Sequence, residues 1–213
     1  EQLRQAVVAA YVPLRAFADN DFFTGEGRSD NAHYDYTPAN RGSAYVFREN
    51  IYDFTDGPEN TYVNAVYYHC YKGISRANIA IDYIEKSSID DEVKKDLIGQ
   101  SKFLRAFFYY KLVRYFGGVP LYLHEVATAE GAFLPRSSED EVYAQIIADA
   151  QAAIDNLKAP EKFPQTGAAT KGAATILLAD VYVTRKNYKE AEALLKTLPA
   201  MGYGLLGNYS DVF

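Results

Sequence analysis

Apolar positions along this chain recur at three- and four-residue intervals, the spacing of helices, almost from the first residue. Leu3, Val7, Ala10, Tyr11, Leu14 and Phe17 share a face, which predicts a helix over 1–17 with Pro13 as a kink. Tyr62, Val66, Tyr67, Cys70, Ile74, Ala77, Ile81 and Ile84 predict a long second helix, from after Asp56-Gly57-Pro58 to about Ser87. Ser88 to Asp91 supplies a capping region with acidic residues for the next helix, which leads through Leu97 and Gly99 into the stretch 101–123.

That stretch, SKFLRAFFYYKLVRYFGGVPLYL, organises the rest. Phe103, Phe107 and Tyr110 lie on one face and Leu104, Phe108, Leu112 and Tyr115 on another, so the helix must be covered on more than one side. Gly117 and Gly118 offer a left-handed cap, Pro120 forbids continuation, and Lys111 and Arg114 suit the negative end of the helix dipole. Arg105 among apolar neighbours must meet a carboxylate or backbone carbonyls, and Arg76 and Asn78 are expected to tie neighbouring helices together.

Beyond an irregular crossover over 121–135, Ser137 or Ser138 with Glu141 forms a capping box for a helix reaching Leu157. A loop over 158–167, marked by Pro160 and Pro164, leads to a last pair of helices. The first of these begins at Thr170 and uses Ala174, Leu178 and Tyr182; the second uses Tyr188, Ala191, Leu194, Leu195 and Leu198. Small residue, Tyr, turn, Tyr, then Ala resembles a tetratricopeptide pair in which the Tyr fills the groove, although the chain has no Trp. The fold class read from this pattern is all-α, a tetratricopeptide-like α-solenoid bundle in a single domain over 1–213.

One segment breaks the helical period. Residues 19–60 are rich in Asp, Asn, Gly and aromatic residues. An interruption of that length is far beyond a connector of about four to six residues, and its many rings argue against disorder.

Four motifs in order make the chain similar to the SusD/RagB family. They are Tyr71-Lys72-Gly73-Ile74-Ser75-Arg76-Ala77-Asn78; Phe103-Leu104-Arg105-Ala106-Phe107-Phe108-Tyr109 with its Arg114-Tyr115-Phe116-Gly117 and Val119-Pro120-Leu121 ending; Pro135-Arg136-Ser137 before Val142-Tyr143-Ala144-Gln145-Ile146; and Thr170-Lys171-Gly172-Ala173-Ala174. Tyr203-Gly204-Leu205, Tyr209 and Phe213 also resemble it. The resemblance implies a lipoprotein of the bacterial outer membrane in Bacteroidetes, exposed at the cell surface. It implies a lid on a SusC-like TonB-dependent transporter that captures oligosaccharides without breaking bonds. It further implies that 1–213 is an N-terminal portion of a longer protein, with its lipid anchor upstream of residue 1. Peptide cargo, or a scaffold for protein partners, are the alternative readings.

Composition narrows the chemistry. A net charge of −6 and a pI near 5.1 give no basic stripe for nucleic acid. Cys70, the sole cysteine, reads as a small buried hydrophobe, and no apolar run approaches a membrane span. His33, His69 and His124 lie far apart with no metal-binding spacing, so neither metal nor cofactor is expected. Asp19, Asp21, Glu26 and Asp30 lack the loop spacing of a calcium cage, and Gly25-Glu26-Gly27 is too short to cradle a phosphate. No pair of carboxylates stands out as a glycosidase centre, so the chain is not expected to be an enzyme.

The aromatic excursion is therefore where a ligand is expected. A pyranose stacks its flat apolar face on a ring while planar polar groups take its hydroxyls. By position and residue type, Tyr36, Arg41, Tyr45, Tyr52, Phe54 and Asn60 are the candidate ligand-binding residues. The competing expectation is that these rings pack the excursion onto the helices.

Overall fold

The computed structural model describes residues 1–34, 38–39, 42–159 and 167–212. Seven α helices follow one another among them: α1 (Gln2–Thr24), α2 (Ser43–Tyr52), α3 (Thr61–Glu85), α4 (Asp91–Phe116), α5 (Glu139–Asn156), α6 (Lys171–Thr184) and α7 (Tyr188–Leu195). No strand occurs among the described residues. α1 packs on α3, and then each helix packs on the next, α3 on α4 and so on to α7, while α2 stands aside with small contacts to α1 and α3. The architecture is the all-helical, tetratricopeptide-like row that the periodicity predicts.

α4 is the centre of this row, and its two-faced pattern is the reason. Leu104, Phe108, Tyr109 and Leu112 are fully buried, and α4 touches α1 and α6 as well as α3 and α5. It is one unbroken helix. Asp90 caps its start by accepting from the Glu92 and Val93 amides, and the chain leaves it at Gly117 with φ +69°. That positive φ strains any residue with a Cβ, so glycine belongs there. Arg136 donates to the Phe116 and Gly118 carbonyls, groups at the helix end that would otherwise lack partners.

The motif residues interlock around this helix. Arg105, 5 % exposed, forks onto Asp149 of α5 at 2.7 and 2.8 Å and gives its remaining nitrogen to Asn78 Oδ1 and the Leu123 carbonyl. Asn78 in turn donates to the Tyr122 and His124 carbonyls, and Arg76 reaches the Ala9 carbonyl of α1. Tyr109 Oη donates to the Tyr122 carbonyl and accepts from its amide, while Tyr71 Oη donates to the Pro120 carbonyl. The irregular crossover is thus pinned to α3 and α4 by side chains that satisfy its backbone, a requirement for non-helical chain packed on a core. Gly73 lets α3 approach α4, since a Cβ there would sit 2.1 Å from the Phe108 ring.

Several expectations shift. α1 runs seven residues past Phe17 to Thr24, because Asn20 and Thr24 bond back to the Ala16 and Asn20 carbonyls and Asp21 is held by α4. Asp19, Asn20 and Asp21 are residue types that favour turns, and the tertiary contacts of Asp21 override that preference. The excursion also contains a helix of its own, α2, whose Ile51 is fully buried. Tyr67, assigned by periodicity to the core, is 38 % exposed, and Tyr188, one of the two tyrosines of the repeat pattern, is 61 % exposed because α7 ends the row and nothing in the described chain covers it. α7 stops at Leu195, short of the expected Leu198. The capping box is Ser138 with Glu141. Most of the predicted 158–167 loop lies outside the described residues.

Candidate functional site

The rings of the excursion gather around one cation. Arg48 on α2 donates from Nε to the Tyr62 hydroxyl at 2.6 Å, and its guanidinium lies 4.4 Å from the Phe23 ring centre, 5.4 Å from that of Tyr62, 5.8 Å from Tyr34 and 5.9 Å from Tyr45. Burial works against its charge, but hydrogen bonds to the Tyr62 and Tyr34 hydroxyls outweigh that and hold its pKa above the usual arginine value. Among the described residues no carboxylate lies within ion-pair distance of it; rings and hydroxyls hold it instead.

Tyr34 links this cluster outward. Its ring lies 6.3 Å from Tyr45 and 5.8 Å from Tyr52, and His33 meets Tyr52 edge-on at 5.9 Å. Gly27 makes room for Tyr52, since a Cβ there would approach the ring to 2.8 Å. Beyond it, Arg28 pairs with Asp56 at 3.0 Å and lies 5.4 Å from the Phe54 ring. Phe54 is 66 % exposed and adopts φ +56°. An aromatic residue in the left-handed region is a strained conformation of the kind that collects at ligand-binding sites.

Of the six candidate residues, Tyr36 and Arg41 lie outside the described residues. Tyr45 and Tyr52 come together through Tyr34, and Phe54 stands beside the Arg28–Asp56 pair. Asn60 takes another role. It is 1 % exposed, and its side-chain amide accepts from the Tyr62 backbone amide as the cap of α3 while donating to the Phe47 carbonyl, so it is buried in a capping role. Arg48, Arg28, Tyr34 and Asp56 are what the residue-type argument missed. Their signal is weak, since arginines at 28 and 48 acquire partners only when α2 folds back beside α3.

A second aromatic surface, also unforeseen, follows α3. Tyr67 and Tyr68, with Tyr71, Tyr122, Pro120 and Arg76, line an open cleft of about 830 Å³. Tyr67 and Tyr71 lie 4.7 Å apart, and Tyr71 meets Tyr122 edge-on at 5.8 Å.

The site's polar groups are guanidinium groups, phenols and the Asp56 carboxylate beside ring faces. Such a set can stack and hydrogen-bond a flat, hydroxyl-rich molecule. Among the described residues no group of three or more His, Cys, Asp or Glu is placed to hold a metal ion; His124 instead bonds Asp82 at 2.8 Å. Burial pushes the Cys70 thiol pKa up, against reactivity.

Fold and site together define a class, a helical-repeat scaffold carrying an aromatic recognition surface. The particular family follows from comparison with known proteins. A SusD-like family model, described as "Starch-binding associating with outer membrane", matches residues 4–183, and the chain belongs to that family. SusD-like protein P2 of Formosa agariphila is 35 % identical over 145 residues, covering 68 % of this chain and 28 % of that protein. The surface glycan-binding protein A of Bacteroides uniformis superposes with a TM-score of 0.79 at 25 % identity, over 93 % of this chain and 45 % of its own. A laminarin-binding SusD-like protein shares the fold at a TM-score of 0.85 and 24 % identity, over 99 % of this chain and 47 % of its own. The chain therefore spans less than half the length of each of these proteins.

Proposed function

We propose that this chain belongs to a surface protein that captures oligosaccharides without cleaving them and passes them to a SusC-like TonB-dependent transporter. The observation that carries this reading is the ring surface of Tyr34, Tyr45, Tyr52 and Phe54, set with Arg28, Arg48 and Asp56 on a SusD-like scaffold. Membership of a family described as starch-binding and associated with the outer membrane supports it, as does the likeness to a protein named for glycan binding. Rings give a sugar its apolar contact, and the arginine and carboxylate pair gives its hydroxyls donors and acceptors held in fixed positions. In this reading the whole protein is held at the outer membrane by a lipid anchor.

Calorimetric titration against soluble polysaccharides and peptides, with product analysis on the same samples, tests the proposal. Saturable heat from a glycan without product supports capture. Product formation would make the protein a hydrolase, and heat from peptides alone would change the cargo.

A further inference from the structure

On the α1–α4 side of the molecule lies a cleft of about 780 Å³ that the ring surface does not use. Its apolar walls come from Phe17 and Phe22 of α1 and Phe107 of α4. Its polar floor is a fixed triad. Asp21 Oδ1 accepts from the Tyr115 hydroxyl at 2.6 Å and Asp21 Oδ2 from Lys111 Nζ at 3.0 Å, and the same ammonium lies 5.4 Å from the Phe17 ring centre and 5.7 Å from that of Phe107. The triad ties α1 to α4, but the tie does not exhaust it. About a quarter of each charged side chain stays exposed, 26 % for Asp21 and 21 % for Lys111. An ammonium has three donors and a carboxylate about four acceptor positions, so each retains bonding capacity toward the cleft. Phe22, 54 % exposed, stands at the rim with no polar group to explain its exposure.

We infer that this cleft is a second saccharide site, which takes a single neutral sugar ring between Phe22 and Phe107 and bonds its hydroxyls to Asp21 and Lys111. Neutrality follows from the charges present. Asp21 and Lys111 balance each other's charge, so a charged ligand group attracted by one is repelled by the other, whereas a vicinal diol can bridge the carboxylate and the ammonium through their spare positions while they stay joined. Glu26 and Arg114, also on the lining, keep the local sum at zero. Burial and then the Asp21 carboxylate raise the Tyr115 pKa, so the phenol remains a donor that orients Asp21.

Backbone amide signals of residues 18–25 and 107–115, followed by NMR, test the inference. The titrants are the methyl glycosides of glucose, galactose and mannose, with glucuronate and leucine as an anion and a zwitterion. At least one neutral glycoside should move those signals saturably, and Phe22→Ala should weaken it about fivefold with an unchanged Tm. Lys111→Met should weaken it further, while Tyr52→Ala, in the ring surface, should leave it unaltered. Shifts from glucuronate or leucine alone, no saturable shift, or binding indifferent to both cleft variants overturns the site. Loss of the signals in Tyr52→Ala would also overturn it as a separate site, whatever the ring surface does with longer glycans.

Discussion

Two arginines mark two regions of this molecule and show how differently the same side chain is used. Arg105, in the middle of α4, has a bidentate carboxylate, an amide oxygen and a carbonyl around it, and is almost wholly buried. Arg48, on α2, has no described carboxylate and is held by aromatic faces and a phenol. The first arrangement fixes three helices and a crossover in one geometry. The second keeps a cation half-buried among rings that are themselves part-exposed, and groups of that kind suit ligand contact. Charge compensation in the core and ring compensation at the surface thus separate the region that holds the fold from the region proposed to use it.

Breaking the first region should have the largest effect. Asp149→Ala strips Arg105 of its carboxylate inside the core and should cost about 3–5 kcal/mol in urea unfolding. Replacing both partners together, as in Arg105→Met with Asp149→Leu, should cost less than Asp149→Ala alone, because no charge is left stranded. A double variant as unstable as the single one would show that the network's bonds to Asn78 and Leu123 matter more than the charge pair.

Next comes the close approach of α3 and α4. Gly73→Ala places a methyl where the Phe108 ring lies 2.1 Å from the built Cβ, so α3 and α4 must part. The expected cost is about 1–3 kcal/mol, seen as a lower urea midpoint, with little change in the ring surface.

A pH-dependent loss should appear on the alkaline side. Burial first of all raises Tyr11 and Tyr110 from 10.0 to about 12, where the folded state favours their neutral form. Their contribution is complete below pH 10 and is lost as the pH rises from 10 through about 12, since only the unfolded chain then ionises freely. Urea midpoints measured across that interval should fall, and Tyr110→Phe should flatten the fall; an unchanged slope would assign the loss to other groups.

The first region was legible in sequence because helical period and burial constrain it together. Arg105 amid Leu104, Ala106 and Phe108 demands a partner, and Gly117-Gly118 before Pro120 demands a stop, so both the helix and its polar ties could be read. What could not be read was the partner's identity: nothing local marks Asp149 on α5 as the carboxylate. The second region was legible only as a concentration of rings. Tyr45, Tyr52 and Phe54 were reachable by residue type, yet so was Asn60, whose position just before a helix is equally the signature of a cap. Arg48 and Tyr34 acquire their roles from the return of α2 onto α1 and α3, a long-range contact that no spacing encodes.

Within the second region, Tyr45→Ala with Tyr52→Ala should separate recognition from folding. Both rings are half-buried and neither lies in the central core, so the melting temperature should drop only slightly. Loss of two stacking faces should weaken glycan binding about tenfold or more, read by calorimetry. Unchanged affinity with a large loss of stability would return the pair to packing.

The smallest change in stability, and the sharpest test of the comparison, comes from Phe54. Its φ of +56° costs a residue with a Cβ about 1–2 kcal/mol, and its ring is 66 % exposed, so packing recovers only what Arg28 supplies. Phe54→Gly relieves the strain but lengthens the list of unfolded conformations, and these nearly cancel, leaving stability unchanged or raised by up to about 1 kcal/mol. If the strained ring is kept for stacking a sugar, the same variant binds glycan more weakly while folding as well as or better than the parent. If it is kept to shield the Arg28–Asp56 pair, Phe54→Gly instead lowers the urea midpoint and leaves affinity intact, and Arg28→Ala should then produce no further loss.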